Sequence, residues 1–217
     1  MSDFVDDVLR MLKHPPSPCP SCPPIVNVVC PGCGRPPQQS AARCLPTELV
    51  RNGGFELGGE FSIFKDWEQQ IAPDMALDRI DVDSYEGTRA AEFASVGAGP
   101  NVISKFALIR QTVTVTPGCF LLLSFAANFR AEGQGWDDLD VAARVYYTDS
   151  GGNRVNLINI EIDYSQGQAV NSYTFYQKVS DGPVPLNVSA VTVEFEAQIT
   201  DITGTTWLLD GVSLRAV

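Results

Sequence analysis

From Val191 to Ile199 the chain alternates without a slip: Val191, Val193, Phe195, Ala197 and Ile199 take one side, Thr192, Glu194, Glu196 and Gln198 the other. A period of two, apolar on one side and polar on the other, is what a strand needs to lie on a core with its second face in water. The pattern returns with Val141, Ala143, Val145 and Tyr147 inward, and with Val113 and Val115 set between Thr112, Thr114 and Thr116. Turn compositions punctuate it, at Thr116-Pro117-Gly118 and at Asp149-Ser150-Gly151-Gly152-Asn153, the second between two strands as in a hairpin. Ten or so strands, turns roughly every 8–14 residues and no second helical pattern predict an all-β, two-sheet antiparallel β-sandwich over residues 49–217.

The last strand changes phase. Trp207 and Leu209 are odd-numbered whereas Val212 and Leu214 are even, which places a β-bulge at Asp210-Gly211. Bulges re-aim side chains, so Asp210 is the one carboxylate whose placement the sequence itself specifies.

The first 48 residues cannot build a core. Five of the six cysteines fall in the first 44 residues and ten of the fifteen prolines in the first 50. Residues 1–14 read as a short amphipathic helix capped by Ser2, with Phe4, Val5, Val8, Leu9 and Leu12 on one face and Pro15 as its stop. Residues 15–48 form an extended Pro/Cys-rich arm. Within it, Ile25–Val29 is a β-prone run able to add to a sheet edge of the same or another molecule. Cys19-Pro-Ser-Cys22 and Cys30-Pro-Gly-Cys33 allow two chemistries: a four-thiolate zinc site, or disulfides that link subunits. Pro23 removes one backbone N–H that a zinc knuckle uses, and seven residues between the pairs is a short spacing. Cys44 and Cys119 are further bridging points, although a lone strand cysteine such as Cys119 is equally a plain buried residue.

Net charge is −11. In residues 1–50, Asp3, Asp6, Asp7 and Glu48 cancel Arg10, Lys13, Arg35 and Arg43, so the whole excess sits on the sandwich. An acidic domain repels phosphate backbones and acidic lipid, which argues against nucleic-acid or membrane partners. No apolar run is long enough to cross a bilayer as a helix, and the acidic N-terminus lacks the pattern of a secretory signal. The expectation is synthesis in a cytoplasm without Sec export.

Four segments carry a resemblance: Asn52-Gly53-Gly54-Phe55-Glu56, Tyr85-Glu86-Gly87-Thr88-Arg89-Ala90-Ala91, Gln111-Thr112-Val113-Thr114-Val115-Thr116-Pro117-Gly118, and Trp207-Leu208-Leu209-Asp210-Gly211-Val212-Ser213-Leu214. In order and spacing they resemble carbohydrate-binding modules of the family 4/9 type over residues 49–217. The resemblance implies a jelly roll with a structural calcium held by Glu56 and Asp210, aided by the Asn52 side chain and a backbone carbonyl near Arg89; the plain alternative is that Glu56 and Asp210 satisfy turn amides. It also implies sugar stacking on aromatic rings, for which Trp136, Tyr146, Tyr164, Tyr173 and Tyr176 are the candidates, while Trp67 and Trp207 read as core. The acidic stretch Asp78, Asp81, Asp83 and Glu86 reads as a solvated face, with weak calcium binding as the lesser alternative.

The only histidine, His14, lies in the arm, which leaves the sandwich without Ser-His-Asp, Cys-His or histidine-zinc chemistry. No phosphate-cradling loop is present. The expectation is a non-catalytic structural or surface protein whose blocks self-associate through the arm into an assembly, fibre or layer. A Cys-bearing arm before a jelly roll resembles in outline the endospore appendage subunits of bacteria, which implies a final site at a cell or spore surface. The alternatives are a free-standing carbohydrate-binding module with a polysaccharide partner, and a zinc-knuckle docking protein.

Overall fold

The computed structural model describes residues 44–73, 75–96, 105–131, 139–164, 171–199 and 205–217. The helix expected over residues 1–14, the Ile25–Val29 run, Cys19, Cys22, Cys30, Cys33 and Trp136 lie outside them. Among the described residues there are ten strands and no α-helix: β1 Glu68–Ile71, β2 Met75–Ile80, β3 Ala90–Ser95, β4 Lys105–Thr114, β5 Leu121–Ala131, β6 Leu139–Thr148, β7 Arg154–Asp163, β8 Tyr173–Val179, β9 Ala190–Ile199 and β10 Thr205–Ala216. They form two five-stranded antiparallel sheets. The front sheet runs β1-β4-β9-β6-β7 and the back sheet β2-β3-β10-β5-β8, a jelly-roll sandwich.

The alternation that predicts β9 sets its burial: Val191, Val193, Phe195 and Ala197 are core, and β4 and β6 supply the matching inward rows Ala107, Ile109, Val113 and Val141, Ala143, Val145. Aromatic rings join the sheets, with Phe195 of the front sheet edge-on to Phe125 at 5.1 Å and 6.5 Å from Trp207, both of the back sheet. Such contacts add about 1 kcal/mol each beyond the area they bury. Trp67, just before β1, and Trp207 of β10 are both core residues. The hairpin between β6 and β7 is closed by Asp149, which accepts N–H bonds from Gly151 and Asn153.

The phase break in β10 is a bulge. Register against β5 shifts between Asp210 and Ser213, and Gly211 takes the left-handed conformation, φ 60°. Leu209 and Val212 therefore both face the core, and Asp210 faces outward from the back sheet.

Cys44 is bonded to Cys119, a separation of 75 residues. Neither is therefore a bridge to another subunit, nor is Cys119 a plain thiol. The cause is local: Glu48 pairs with Arg215, and Val217 donates its N–H to the Phe120 carbonyl. That lays residues 44–48 along the end of β10, beside the start of β5. Closing a loop of this length stabilises by about 4 kcal/mol through the unfolded chain's entropy.

Candidate functional site

The segments that carry the resemblance meet at one end of the sandwich. Gly53 lies so close to β10 that a side chain there would strike the Val212 carbonyl, with Cβ only 1.9 Å from its oxygen. Asn52 ties its own loop, donating through Nδ2 to the Leu57 and Lys65 carbonyls and accepting the Leu57 N–H at Oδ1. Phe55 enters the core. Glu56 accepts the Thr88 and Arg89 N–H groups and the Thr88 hydroxyl, and these bonds hold its carboxyl below the ordinary range. Asp210 is fully buried and accepts the Tyr85 and Glu86 N–H groups at 2.7 and 2.9 Å. Burial pushes its carboxyl up to about 6 against the pull of those amides, and the Glu86 carboxylate adds to the rise. Gln111 shares the inward phase of Val113 and fastens the same loop, accepting the Arg51 N–H and donating to the Arg51 and Asp66 carbonyls.

This junction pins residues 81–89 over the back sheet. Its carboxylates satisfy turn amides, the plainer of the two readings drawn from the sequence. Calcium is an oxygen-seeking ion, and oxygens of Glu86 and Asp210 stand 3.6 and 3.8 Å from where a Gly54 Cβ would lie. Among the described residues no three His, Cys, Asp or Glu side chains form a ready metal-ligand set. An ion here would need backbone carbonyls or water to complete its shell. Asn52 has already committed its amide to the loop, and Arg89 meets Glu56 through its N–H.

The four described tyrosine candidates do not form one platform. Tyr164 is core, its ring stacked 4.7 Å from Phe129 and its hydroxyl accepting from the Trp207 indole N–H. Burial pushes its pKa up strongly. Tyr176 lies inward against Phe125 at 5.1 Å. Both follow from phase, since Tyr164 shares parity with the buried Ile162, and Tyr176 pairs with inward-facing Phe125. Tyr146 stands on the outer face of the front sheet and Tyr173 on that of the back sheet, so no ligand of modest size spans the two.

The front sheet's outer face holds an open groove of about 420 Å³, lined in part by Asp140, Ala142, Arg144, Glu161, Glu196 and Gln198. Register explains it. Ala142 of β6 sits between Glu196 of β9 and Glu161 of β7, with Asp140 and Arg144 two residues away along its own strand. One methyl among five long polar side chains leaves a trough. Its wall is braced: Arg144 bonds Glu196 at 2.6 Å, and Glu194, only 4% exposed, accepts from Arg154 at 2.7 Å and from the Tyr146 hydroxyl at 3.1 Å. The Arg154 guanidinium lies 3.6 Å over the Tyr146 ring, so that ring face is taken. Burial, then Glu194, raises the Tyr146 pKa. Asn159 beside this network donates to Glu161. Phe106 stands in the same cross-strand row as Gln198. Sequence reading missed this set because cross-strand neighbours are not sequence neighbours.

Solved structures share the architecture. A family 61 carbohydrate-binding module in complex with β-1,4-galactotriose matches with TM-score 0.55 and 15% identity over 79% of this chain and 99% of that one. A family 4 carbohydrate-binding module matches with TM-score 0.52 and 13% identity over 77% of this chain and 99% of that one. The fold is the two-sheet jelly roll that these modules share. The enzymatically active domain of bacteriophage CBA120 tailspike protein 4 also matches this jelly roll, with TM-score 0.54 and 18% identity, over 78% of this chain but 21% of that one. No protein-family model and no curated protein matches the sequence. At these identities the carbohydrate-binding-module likeness is one of fold, and the ligand has to be argued from side chains.

Proposed function

We propose that the sandwich is a non-catalytic polysaccharide-binding module that seats its ligand in the front groove. The observation that carries the reading is the trough at Ala142, a polar depression on the exposed face of a sheet in a fold shared with carbohydrate-binding modules. Asp140, Glu161 and Glu196 accept hydrogen bonds from sugar hydroxyls, while Arg144 and Gln198 donate. Three carboxylates against one guanidinium, on a domain that carries all of the chain's −11 charge, favour a neutral glycan over an acidic one.

Calorimetric titration of the full chain with β-1,4-linked galacto-, gluco- and xylo-oligosaccharides tests this, with oligogalacturonate as the acidic control. Binding of at least one neutral oligosaccharide is expected, with at least tenfold loss in Ala142→Trp at unchanged Tm. Binding that survives Ala142→Trp undiminished overturns the assignment to this groove, and silence towards every neutral glycan overturns the function.

Calcium beside Asp210 and Glu86, with backbone carbonyls or water completing its shell, belongs to the same proposal as a structural ion, supported by the approach of both carboxylates to the Gly54 backbone. Calcium added to chelator-treated protein should raise Tm; an unchanged Tm removes the ion from the account.

Linkage of copies through the N-terminal arm is a second proposal, favoured by the Cys44–Cys119 bond, since a disulfide on the domain fits an oxidising final site. A thiol-sensitive ladder on non-reducing gels is expected, lost when Cys19, Cys22, Cys30 and Cys33 are replaced by Ser. A single monomer band under both conditions would sink it.

A further inference from the structure

We infer that the back sheet carries a second, independent sugar-binding pocket, built for one neutral pyranose unit of a glycan chain. Its ligand class rests on the polysaccharide-binding reading above; its existence rests on separate observations. The pocket measures about 490 Å³ and is lined by Asn128 and Arg130 of β5, Ser172 and Tyr173 at the head of β8, and Asp83 and Ser84 of the 81–89 loop. That volume lies within the range of small-ligand sites.

The decisive feature is Asn128. The residue is 3% exposed, lines the pocket, and has a side-chain oxygen with no hydrogen-bond partner. Buried acceptors are nearly always paired, so an orphan in a pocket wall marks where a donor from elsewhere is accommodated. A sugar hydroxyl is such a donor.

The surrounding groups supply the rest of what a pyranose needs. Tyr173 and Tyr85 stand with ring centroids 5.5 Å apart, and the Tyr173 hydroxyl donates to the Asp83 carbonyl, which fixes the ring's orientation. The Tyr173 ring, which lines the pocket, offers an apolar wall to the C–H face of a sugar. Ser172 can donate and accept, the Ser84 hydroxyl, which donates to the Gly87 carbonyl, can still accept, and the Arg130 guanidinium keeps donors to spare beyond its pair with Asp83. Because Asp83 neutralises Arg130, the pocket has no net positive charge for a phosphate or uronate, and a neutral ligand follows. The two sites open on opposite faces of the sandwich. One domain can therefore hold two glycan strands at once, with the gain in avidity that bivalence brings.

Amide NMR of the full chain, titrated with β-1,4-linked galactotriose, cellotriose and xylotriose, separates the sites. Two groups of shifts are expected, one around Ala142 and Gln198 and one around Ser84, Ser172 and Tyr173. Ala142→Trp should erase the first group and leave the affinity read from the second within twofold. Ser172→Trp, at an exposed position, should weaken the second at least tenfold and spare the first. Asn128→Leu should weaken it as much without lowering Tm, since it removes an unpaired buried oxygen and puts an apolar side chain of similar size in its place. Shifts confined to the front groove in wild-type protein, or back-face shifts that vanish with Ala142→Trp, overturn the second pocket alone. Shifts on the back face alone uphold it and remove the front assignment, and no shifts on either face end the polysaccharide reading altogether.

Discussion

The two outer faces of this sandwich solve the same problem in opposite ways. The front face stays in water: its strands alternate, and its charges are matched across strands, Arg110 with Glu68, Arg144 with Glu196 and Arg154 with Glu194. The back face is partly roofed. Ala90, Ala126, Leu208 and Asp210 face outward by phase and are nonetheless buried, in the part of the sheet where Asp210 ties down the 81–89 loop. This explains why β5 and β10 read as near-continuous apolar runs while β9 alternates: strands covered on both faces have no polar side to show. A face held open by ion pairs should tolerate change locally, whereas a roofed face should fail when its peg is removed.

The largest expected effect is therefore Asp210→Ala. It strips the Tyr85, Glu86 and Gly211 amides of a charged acceptor and wets the outer face, at a cost of about 3 kcal/mol. Hydrogen exchange should speed at Tyr85 and Glu86 while β4 and β9 stay protected. Equal loss of protection in both sheets would break the contrast drawn here.

On the front face, Glu194→Gln should cost less, about 1–2 kcal/mol, because Arg144 keeps Glu196 and Arg154 is partly exposed. Its specific signature is a Tyr146 pKa moved back towards the ordinary value, since Glu194 helps raise it. A Tyr146 titration indifferent to Glu194→Gln would show that the network does not exist in solution.

The junction that pins the 81–89 loop should also respond to pH, its two carboxylates in opposite directions. The folded Asp210 carboxyl titrates near 6, above its ordinary 3.8, so the native state holds this proton longer than the unfolded chain. Its stabilising contribution is full below about pH 4 and is lost as pH rises through 6. The stability of wild type relative to Asp210→Asn should accordingly fall between pH 4 and 7 in metal-free buffer. Glu56 runs the other way: its lowered pKa gives stability present above the ordinary value and lost in acid. A pH-independent difference between wild type and Asp210→Asn would remove burial as the cause.

The smallest effect is expected at Phe61, 95% exposed on the 58–62 loop and part of neither face. Phe61→Ala should change stability by less than about 0.5 kcal/mol and leave glycan affinity on both faces unaltered. A loss of binding in this variant would move the ligand site to that loop.

Much of the scaffold was legible residue by residue. The parity switch between Leu209 and Val212 located the bulge and singled out Asp210, because side-chain phase is a local property of the backbone. Gln111 stood in an apolar phase, a signal that a buried polar group has partners, although it could not name Arg51 and Asp66. The sugar candidates were harder. Tyr164 carried the phase of Ile162 and belonged to the core, and Tyr146 sits with its ring face under Arg154. Nothing in the local sequence marks Ala142 or Asn128, since an alanine is a trough only beside Glu161 and Glu196, and an asparagine is an orphan only when its surroundings fail to supply a donor.

The sequence by itself determined a two-layer β architecture, the inward side of most strands and the place where the last one kinks, because each depends on the period of one segment. Only the tertiary structure decided where a ligand could sit. Both depressions arise from pairing register and from a loop held over a distant strand, and those contacts join residues far apart along the chain that no local pattern connects.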